Sequence, residues 1–116
     1  MTTLTAALAD RREVDITTVG RRTGREHTNP VWFVRDGESV YLLPVGGSGS
    51  NWYRNLTRNP TVRLGAGGQS LAATARPITD AAAVDHVVDD FRRRYGADPV
   101  DNYYPGVDVA VEVKPR

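Results

Sequence analysis

Short segments in which apolar and polar residues alternate make up much of the chain, and they predict β-strands. Alternation with period two buries one face of a strand, and β-branched and aromatic residues favour that conformation. The predicted strands cover residues 14–19, 27–34, 39–43, 61–64, 70–76 and 107–113. Turn residues such as Asp36-Gly37 separate them, so successive strands are expected to pair as antiparallel hairpins. Pro30 in the second strand favours an edge position, because proline lacks a backbone donor.

One longer segment has the periodicity of an amphipathic helix. Its apolar residues recur at i, i+3, i+4, i+7 and i+11, which places them on one helix face. They are Val84, Val87, Val88, Phe91 and Tyr95. Thr79 or Asp80 is the predicted N-cap of this helix and Gly96 its predicted end. A shorter helix is predicted over residues 51–58, with Ser50 as its N-cap.

These elements predict an α+β fold that is mainly β, a small antiparallel barrel of about six strands with two or three helices packed outside. The 116 residues fit one domain, residues 1–116. The chain has no cysteine, which excludes disulfides and thiolate nucleophiles and suits a cytoplasmic protein. No apolar run approaches the roughly 20 residues of a membrane-spanning helix.

Charge is nearly balanced over the whole chain but unevenly distributed along it. The net charge of +1 provides no global field that would attract nucleic acid or a membrane surface. Residues 1–64 contain nine arginines and six acidic residues, whereas residues 65–116 contain six basic and eight acidic residues. The excess positive charge therefore lies in the half that also contains two glycine-rich motifs.

The first glycine-rich motif, Gly-Arg-Arg-Thr-Gly-Arg at residues 20–25, connects the first two predicted strands. Glycine allows a tight turn, and arginine offers a planar cation that binds oxyanions through two hydrogen bonds. Arg21, Arg22 and Arg25, assisted by Thr23, are therefore candidates to hold the anionic tail of a cofactor. The motif is neither a P-loop nor a dinucleotide-binding loop. Taken alone, it is equally compatible with a solvated basic turn.

The second glycine-rich motif, residues 46–51, leads into the shorter predicted helix. Free N–H groups at a helix N-terminus attract anions, although a flexible connector would also explain the glycines and serines. Trp52 and Leu56, at i and i+4, are expected to anchor this helix to the core. With His27 and His86 as the only histidines, and without cysteine, we expect no metal site. Any chemistry is therefore expected to belong to a bound cofactor.

The two motifs, in this order, resemble the deazaflavin-dependent nitroreductase family, whose members use coenzyme F420. The matching residues are Thr-Thr-Val-Gly-Arg-Arg-Thr-Gly at 17–24, Thr28, Pro30, Asp36-Gly37, Gly46-Gly47 and Trp-Tyr-x-Asn-Leu-x-x-Asn-Pro-x-Val at 52–62. The resemblance covers roughly residues 14–78. It implies a split β-barrel related to oxidases that bind flavin mononucleotide (FMN).

The resemblance also implies where F420 binds. Its phosphate and oligoglutamate tail would lie along residues 20–25 and its ring near residues 28–32 and 44–47, with residues 51–55 completing the site. The implied cofactor-binding residues are Arg21, Arg22, Thr23, Gly24, Arg25, Thr28, Pro30, Val31, Trp32, Pro44, Gly46, Gly47, Asn51, Trp52, Tyr53 and Asn55.

The activity implied by the resemblance is hydride transfer from the reduced deazaflavin to a small electron-poor acceptor such as a quinone or nitro compound. Tyr103, Tyr104 and Tyr95 are the catalytic candidates, because related enzymes place tyrosines from this region over the ring, where one would supply a proton. Core packing is the alternative for Tyr95, whereas Tyr103 and Tyr104 are expected in a loop beside Pro105-Gly106. We expect a monomer or homodimer, cytoplasmic or peripheral to a membrane, that binds a small-molecule substrate and no nucleic acid.

Other functions stay open at this point. The barrel could hold FMN in place of F420. It could also carry a cofactor without being an enzyme, or bind RNA through aromatic side chains on strands, for which Trp32, Phe33 and Tyr41 are candidates. Two positions depart from the family pattern: His27 stands where relatives often have arginine, and Pro44-Val45 stands where a small or hydroxyl residue is common.

Overall fold

The structure, a computed structural model, describes residues 11–66 and 68–115. The strands are β1 (Glu13–Val19), β2 (Glu26–Asp36), β3 (Ser39–Leu42), β4 (Thr61–Ala66), β5 (Gln69–Ile78) and β6 (Ala110–Pro115). The helices are α1 (Asn51–Arg58), α2 (Ala81–Tyr95) and α3 (Ala97–Tyr103), and a 3-10 turn covers Gly47–Gly49. Within the described residues these six strands and three helices confirm the predicted mainly β architecture.

The strands pair in antiparallel fashion and close into a barrel in the order β1-β2-β3-β6-β5-β4. Successive side chains of a strand point alternately into and out of the barrel. In β1, Val14 and Ile16 are buried, whereas Glu13 and Asp15 are exposed. Residues from all six strands and from α1 form one apolar core in the barrel. Trp52, Tyr53 and Leu56 are the members from α1.

Strand β2 is paired differently along its two halves. Residues 26–32 pair with β1, whereas residues 33–36 pair with β3. Pro30 lies in the first half, opposite Asp15, so its missing N–H does not interrupt a central strand. This agrees with the edge position predicted from the sequence. The candidate site lies along the first half of β2, residues 26–32, which pairs with β1 and not with β3.

Helices α2 and α3 pack outside the barrel over a second apolar cluster. The predicted face of α2 is buried there, together with Val100 and Tyr104. Asp80 is the N-cap, since its Oδ2 accepts a hydrogen bond from the Ala83 N–H at 3.0 Å, and Gly96 ends the helix. In the described part of the chain, no helix has the length and apolar character needed to cross a bilayer.

Two boundaries differ from the sequence-based expectation. Tyr103 was expected in a loop, but it is the last residue of α3; Pro99 in the first turn of that helix costs no backbone hydrogen bond. Strand β6 begins at Ala110 and not at residue 107. The reason is that the carboxylate of Asp108 binds Ser48, which keeps residues 107–109 outside the ladder.

Glu112 of β6 is a buried carboxylate in this largely apolar framework, with 7% of its surface exposed. Ser39 and Tyr41 each donate a hydrogen bond to its Oε2 at 3.1 Å. Arg76 donates to its Oε1 from Nε at 3.0 Å and from Nη2 at 2.8 Å. Burial by itself would raise the pKa of Glu112, but these hydrogen bonds outweigh burial and lower the pKa below its usual value. The ionised form of Glu112 therefore stabilises the fold.

We expect Glu112→Gln to lower the free energy of unfolding by about 1–3 kcal/mol at neutral pH, because Arg76 loses its charged acceptor. A depressed folded-state pKa gives stability that is present above the unfolded-state pKa and is lost as the pH falls through the folded-state pKa. Urea unfolding of wild type and variant, at neutral pH and at about pH 3, measures both effects. The difference between the two proteins should shrink in acid. Equal stability at neutral pH would contradict the prediction.

Candidate functional site

Two adjoining cavities lie against the first half of β2, residues 26–32, which pairs with β1. The first, of about 670 Å³, is lined by Gly20, Arg21, Arg22, Thr23, Arg25, Glu26, His27, Thr28, Asn29, Asn51, Trp52 and Asn55. The second, of about 460 Å³, is lined by Glu13, Asn29, Pro30, Val31, Trp32, Leu43, Val45, Gly49, Ser50, Asn51, Trp52, Tyr103 and Tyr104. Because Asn29, Asn51 and Trp52 line both, the two cavities form one continuous site.

The structure brings most of the predicted cofactor-binding residues to these cavities. The exceptions lie behind the lining or in the turns that support it. They are Gly24, Pro44, Gly46, Gly47 and Tyr53. Asn29 lines both cavities; it lies within the segment predicted to be near the ring, residues 28–32, but was not named as a binding residue.

The arginine turn closes the β1–β2 hairpin through its backbone. The Gly20 N–H donates to the Arg25 carbonyl at 2.7 Å, and the Gly24 N–H donates to the Gly20 carbonyl at 2.9 Å. Gly24 has φ +72°, a left-handed conformation that favours glycine, and a Cβ on Gly20 would lie 2.9 Å from His27 Nε2 and displace that side chain. Thr23 Oγ1 accepts a hydrogen bond from the Arg25 N–H at 3.3 Å. The tight turn leaves the arginine side chains to line the first cavity.

Asn55 of α1 holds Arg21 in place. Its Oδ1 accepts hydrogen bonds from Arg21 Nη1 at 2.8 Å and from the Arg21 N–H at 3.2 Å. Its Nδ2 donates to Thr18 Oγ1 at 3.3 Å, and both Asn55 and Thr18 are buried. Asn55 was predicted to bind the cofactor; the structure shows that its amide oxygen is engaged by Arg21. The guanidinium of Arg21 is thereby preorganised for a ligand.

A cluster of cations surrounds Arg21. Desolvation, followed by the positive charges of Arg54, Arg22 and Arg58, lowers the pKa of Arg21 below its usual value. Arg54 lies within the segment predicted to complete the site, residues 51–55, but was not named as a binding residue, and Arg58 was not predicted; their signal is the i, i+4 spacing on the helix that follows the glycine segment. Among the ion pairs of the described residues, none involves these four arginines. A bound anion would relieve their mutual repulsion.

The second cavity has an aromatic wall. The ring of Trp32 lies 4.8 Å from that of Tyr103 and 6.2 Å from that of Tyr104, measured between centroids. Tyr103 is 54% exposed, whereas Tyr104 is 5% exposed. Burial, with smaller contributions from Tyr95, Tyr103 and Glu13, raises the pKa of Tyr104 well above its usual value. Its hydroxyl therefore stays protonated and remains a hydrogen-bond donor at neutral pH.

Tyr95, the third predicted tyrosine, lines neither cavity. Its ring is stacked on Trp32 with the centroids 4.4 Å apart and the planes at 13°. Its hydroxyl accepts a hydrogen bond from the Phe33 N–H at 3.0 Å and lies 2.7 Å from the Phe33 carbonyl oxygen and 2.8 Å from that of Arg12. In this structure Tyr95 thus supports Trp32 from behind, with its hydroxyl engaged by backbone groups.

The glycine segment is held by Asp108, which precedes β6. The N–H of Ser48 donates to Asp108 Oδ1 at 2.9 Å, and the Ser48 hydroxyl donates to Oδ2 at 2.7 Å. These hydrogen bonds lower the pKa of Asp108 below its usual value. Gly47 is buried directly beneath the carboxylate. Asp108 therefore ties the glycine segment to the chain that follows Tyr104, and Gly49, Ser50 and Tyr104 line the second cavity.

The split-barrel architecture is shared with several solved structures. An F420-H2 dependent reductase (FDR-A) has a TM-score of 0.71 and 22% identity, covering 90% of this chain and 95% of that one. The heme storage protein HutZ of Vibrio cholerae has a TM-score of 0.76 and 19% identity, covering 97% of this chain and 87% of that one. At these identities the likeness shows the fold alone, and the fold serves more than one function.

The sequence comparisons are more specific. An F420H(2)-dependent quinone reductase of Mycobacterium tuberculosis strain H37Rv is 32% identical over 65 residues, covering 53% of this chain and 43% of that protein. The chain therefore spans less than half the length of that relative. The sequence profile of the F420H(2)-dependent quinone reductase family matches residues 5–114, and the chain belongs to that family.

Proposed function

We propose that the protein is an F420-dependent reductase that passes a hydride from the reduced deazaflavin to a small electron-poor acceptor, a quinone or a nitro compound. The observation that carries the proposal is the junction of an arginine-lined cavity with an aromatic-lined one. The arginine-lined cavity suits the anionic tail of a ligand. The aromatic-lined cavity suits the planar ring of that ligand together with a second planar molecule. Membership of the F420H(2)-dependent quinone reductase family and the similarity to the M. tuberculosis quinone reductase support it.

The first cavity fits the anionic part of F420. Arg21, Arg22 and Arg25 would bind its phosphate and carboxylate groups through charge-assisted hydrogen bonds. Arg54 adds positive charge from the neighbouring helix. Helix α1 begins beside both cavities, and the side chain of its N-cap residue, Ser50, makes no capping hydrogen bond. Its first N–H groups are therefore available to an anion.

The second cavity fits the reacting rings. F420 supplies hydride chemistry when bound, and the protein supplies orientation and a dry environment. Pro30, Val31 and Trp32 provide an apolar wall that displaces water from the rings. Tyr103 and Tyr104 lie at the same cavity, where a phenolic hydroxyl would donate a hydrogen bond to the acceptor oxygen that gains negative charge. The hydroxyl of Tyr104, whose pKa burial raises further above its usual value, is protonated at neutral pH and available to donate this hydrogen bond.

The alternative of RNA binding finds little support in the placement of the aromatic residues. Phe33 is 1% exposed in the barrel core, and the Tyr41 hydroxyl is hydrogen-bonded to Glu112. Trp32 lies at the second cavity, so the three predicted stacking residues do not form a common platform. The proposed partner is a small-molecule acceptor, with the protein acting as a monomer or homodimer, in the cytoplasm or at a membrane surface.

Replacing Tyr103 or Tyr104 with phenylalanine tests the tyrosine roles. We expect kcat for quinone reduction to fall about 5- to 20-fold in the variant that loses the hydrogen bond to the acceptor, because phenylalanine keeps the ring but removes the donor. The Kd for F420 should stay unchanged, since the tail is bound in the other cavity. Steady-state oxidation of reduced F420 gives the rates. Unchanged kcat in both single variants and in the double variant would reject the assignment.

A further inference from the structure

The two cavities carry opposite charge. Three arginines line the first cavity, and its one carboxylate, Glu26, is paired with Arg63 at 2.6 Å. Glu13 is the only charged residue among the described residues that line the second cavity. No ion pair of the described chain involves Glu13. The second cavity therefore has a negative edge with no cation on its lining to balance it.

Glu13 lies close to where an acceptor would bind. It is directly opposite Trp32 in the β1–β2 register, and directly opposed residues project from the same face of a sheet. Its negative charge contributes to the raised pKa of Tyr104, which places it within electrostatic reach of that hydroxyl. Its sequence neighbour Arg12 lies over the Tyr95 ring, 5.4 Å from the centroid, and does not line the cavity.

The mouth of this cavity is also apolar. Val45 and Tyr103, the two large hydrophobic residues that are exposed in the described chain, are 53% and 54% exposed, and both line it. An apolar mouth with one carboxylate admits uncharged rings and repels anions. The same charge separation directs the anionic tail of a cofactor to the first cavity.

We propose that Glu13 determines acceptor specificity: the second cavity selects uncharged or cationic planar acceptors and discriminates against acceptors that carry a carboxylate or sulfonate. This inference rests on the proposed function, because it assigns the acceptor to the second cavity. A like charge a few ångströms away at a partly desolvated edge is expected to weaken binding about 5- to 20-fold.

Equilibrium binding without cofactor tests the proposal directly. Of the two tryptophans of the chain, Trp52 lines both cavities and Trp32 lines only the second. Every protein in the titration, the wild-type reference included, therefore carries Trp52→Phe, so that quenching of Trp32 fluorescence reports on the second cavity. The probes are 1,4-naphthoquinone and its 2-sulfonate, titrated into wild type, Glu13→Gln and the control Glu38→Gln. Comparing the ratio of the two Kd values between proteins cancels the intrinsic differences between the probes.

We expect the Kd ratio of sulfonate to parent quinone to fall about 5- to 20-fold in Glu13→Gln and to stay unchanged in Glu38→Gln, whose substitution removes a charge from an exposed turn. High salt should also lower the Kd ratio of the wild-type protein, because salt screens the repulsion between Glu13 and the sulfonate. An unchanged ratio in Glu13→Gln, or no binding of either quinone to wild type, overturns the proposal. If Glu13→Gln lowers the Kd ratio but the wild-type protein does not oxidise reduced F420 with a quinone, Glu13 keeps its role in acceptor specificity and the proposed reductase activity is rejected.

Discussion

Arg21→Ala is expected to weaken the binding of F420 about 10- to 150-fold, the loss that accompanies removal of a charge-assisted hydrogen bond. Arg21 lines the first cavity and is held there by two hydrogen bonds to Asn55, one from its guanidinium and one from its backbone N–H. Its backbone N–H still binds Asn55 in the variant, so the turn should keep its shape. The effect should therefore appear in the Kd and not in the free energy of unfolding.

A fluorescence titration of oxidised F420 gives this Kd. Arg21→Lys keeps the charge but loses the planar fork, so an intermediate affinity is expected. Arg93→Ala is the matched control, because Arg93 is an exposed arginine on α2 that pairs with Asp90, outside both cavities. A Kd that is the same in Arg21→Ala and Arg93→Ala would show that the arginine turn does not bind the tail.

Gly47→Ala is expected to destabilise the protein by about 3 kcal/mol or more, far beyond the effect of the same change at Gly46. Both glycines have left-handed backbone conformations, with φ +63° at Gly47 and +86° at Gly46. A Cβ on Gly47 would lie 2.4 Å from Asp108 Oδ1, whereas a Cβ on Gly46 would meet nothing within 4 Å. Gly46→Ala should therefore cost only the backbone strain of about 1–2 kcal/mol.

Urea unfolding of the two variants measures the difference, and a double variant identifies its cause. Removing the carboxylate in Asp108→Ala makes room for the new methyl group, so Gly47→Ala should cost less in that background than in wild type. The same loss of stability in Gly47→Ala and Gly46→Ala would contradict the close approach to Asp108. The resemblance implied that Gly47 binds the cofactor; this experiment separates that role from packing beneath Asp108.

Local patterns were sufficient to predict the barrel. The alternation in β1 and the apolar stripe of α2 each specify which side is buried, and Asp36-Gly37 specifies a hairpin. Elements that depend on distant contacts were not predictable in the same way. Helix α3 has no long apolar periodicity, and the start of β6 is set by the hydrogen bonds of Asp108 to Ser48, 60 residues away in sequence.

The site was predictable to a similar extent. The arginine turn is contained in one hairpin, so its composition alone indicates an anion site, and the structure places it at a cavity. Arg54 joins the site only through the position of α1, and Glu13 joins it through the β1–β2 register that sets it opposite Trp32. Tyr53 follows Trp52 in the family motif, but helix geometry turns it into the barrel core.

The most direct test of the central claim is a titration of the purified protein with oxidised F420, followed by fluorescence, with FMN titrated in parallel. The arginine-lined and aromatic-lined cavities predict saturable F420 binding in the micromolar range and much weaker binding of FMN. Tight binding of FMN alone would place the protein with the flavin-dependent branch of the split barrels. Binding of neither would contradict the account and leave the arginine turn a surface feature.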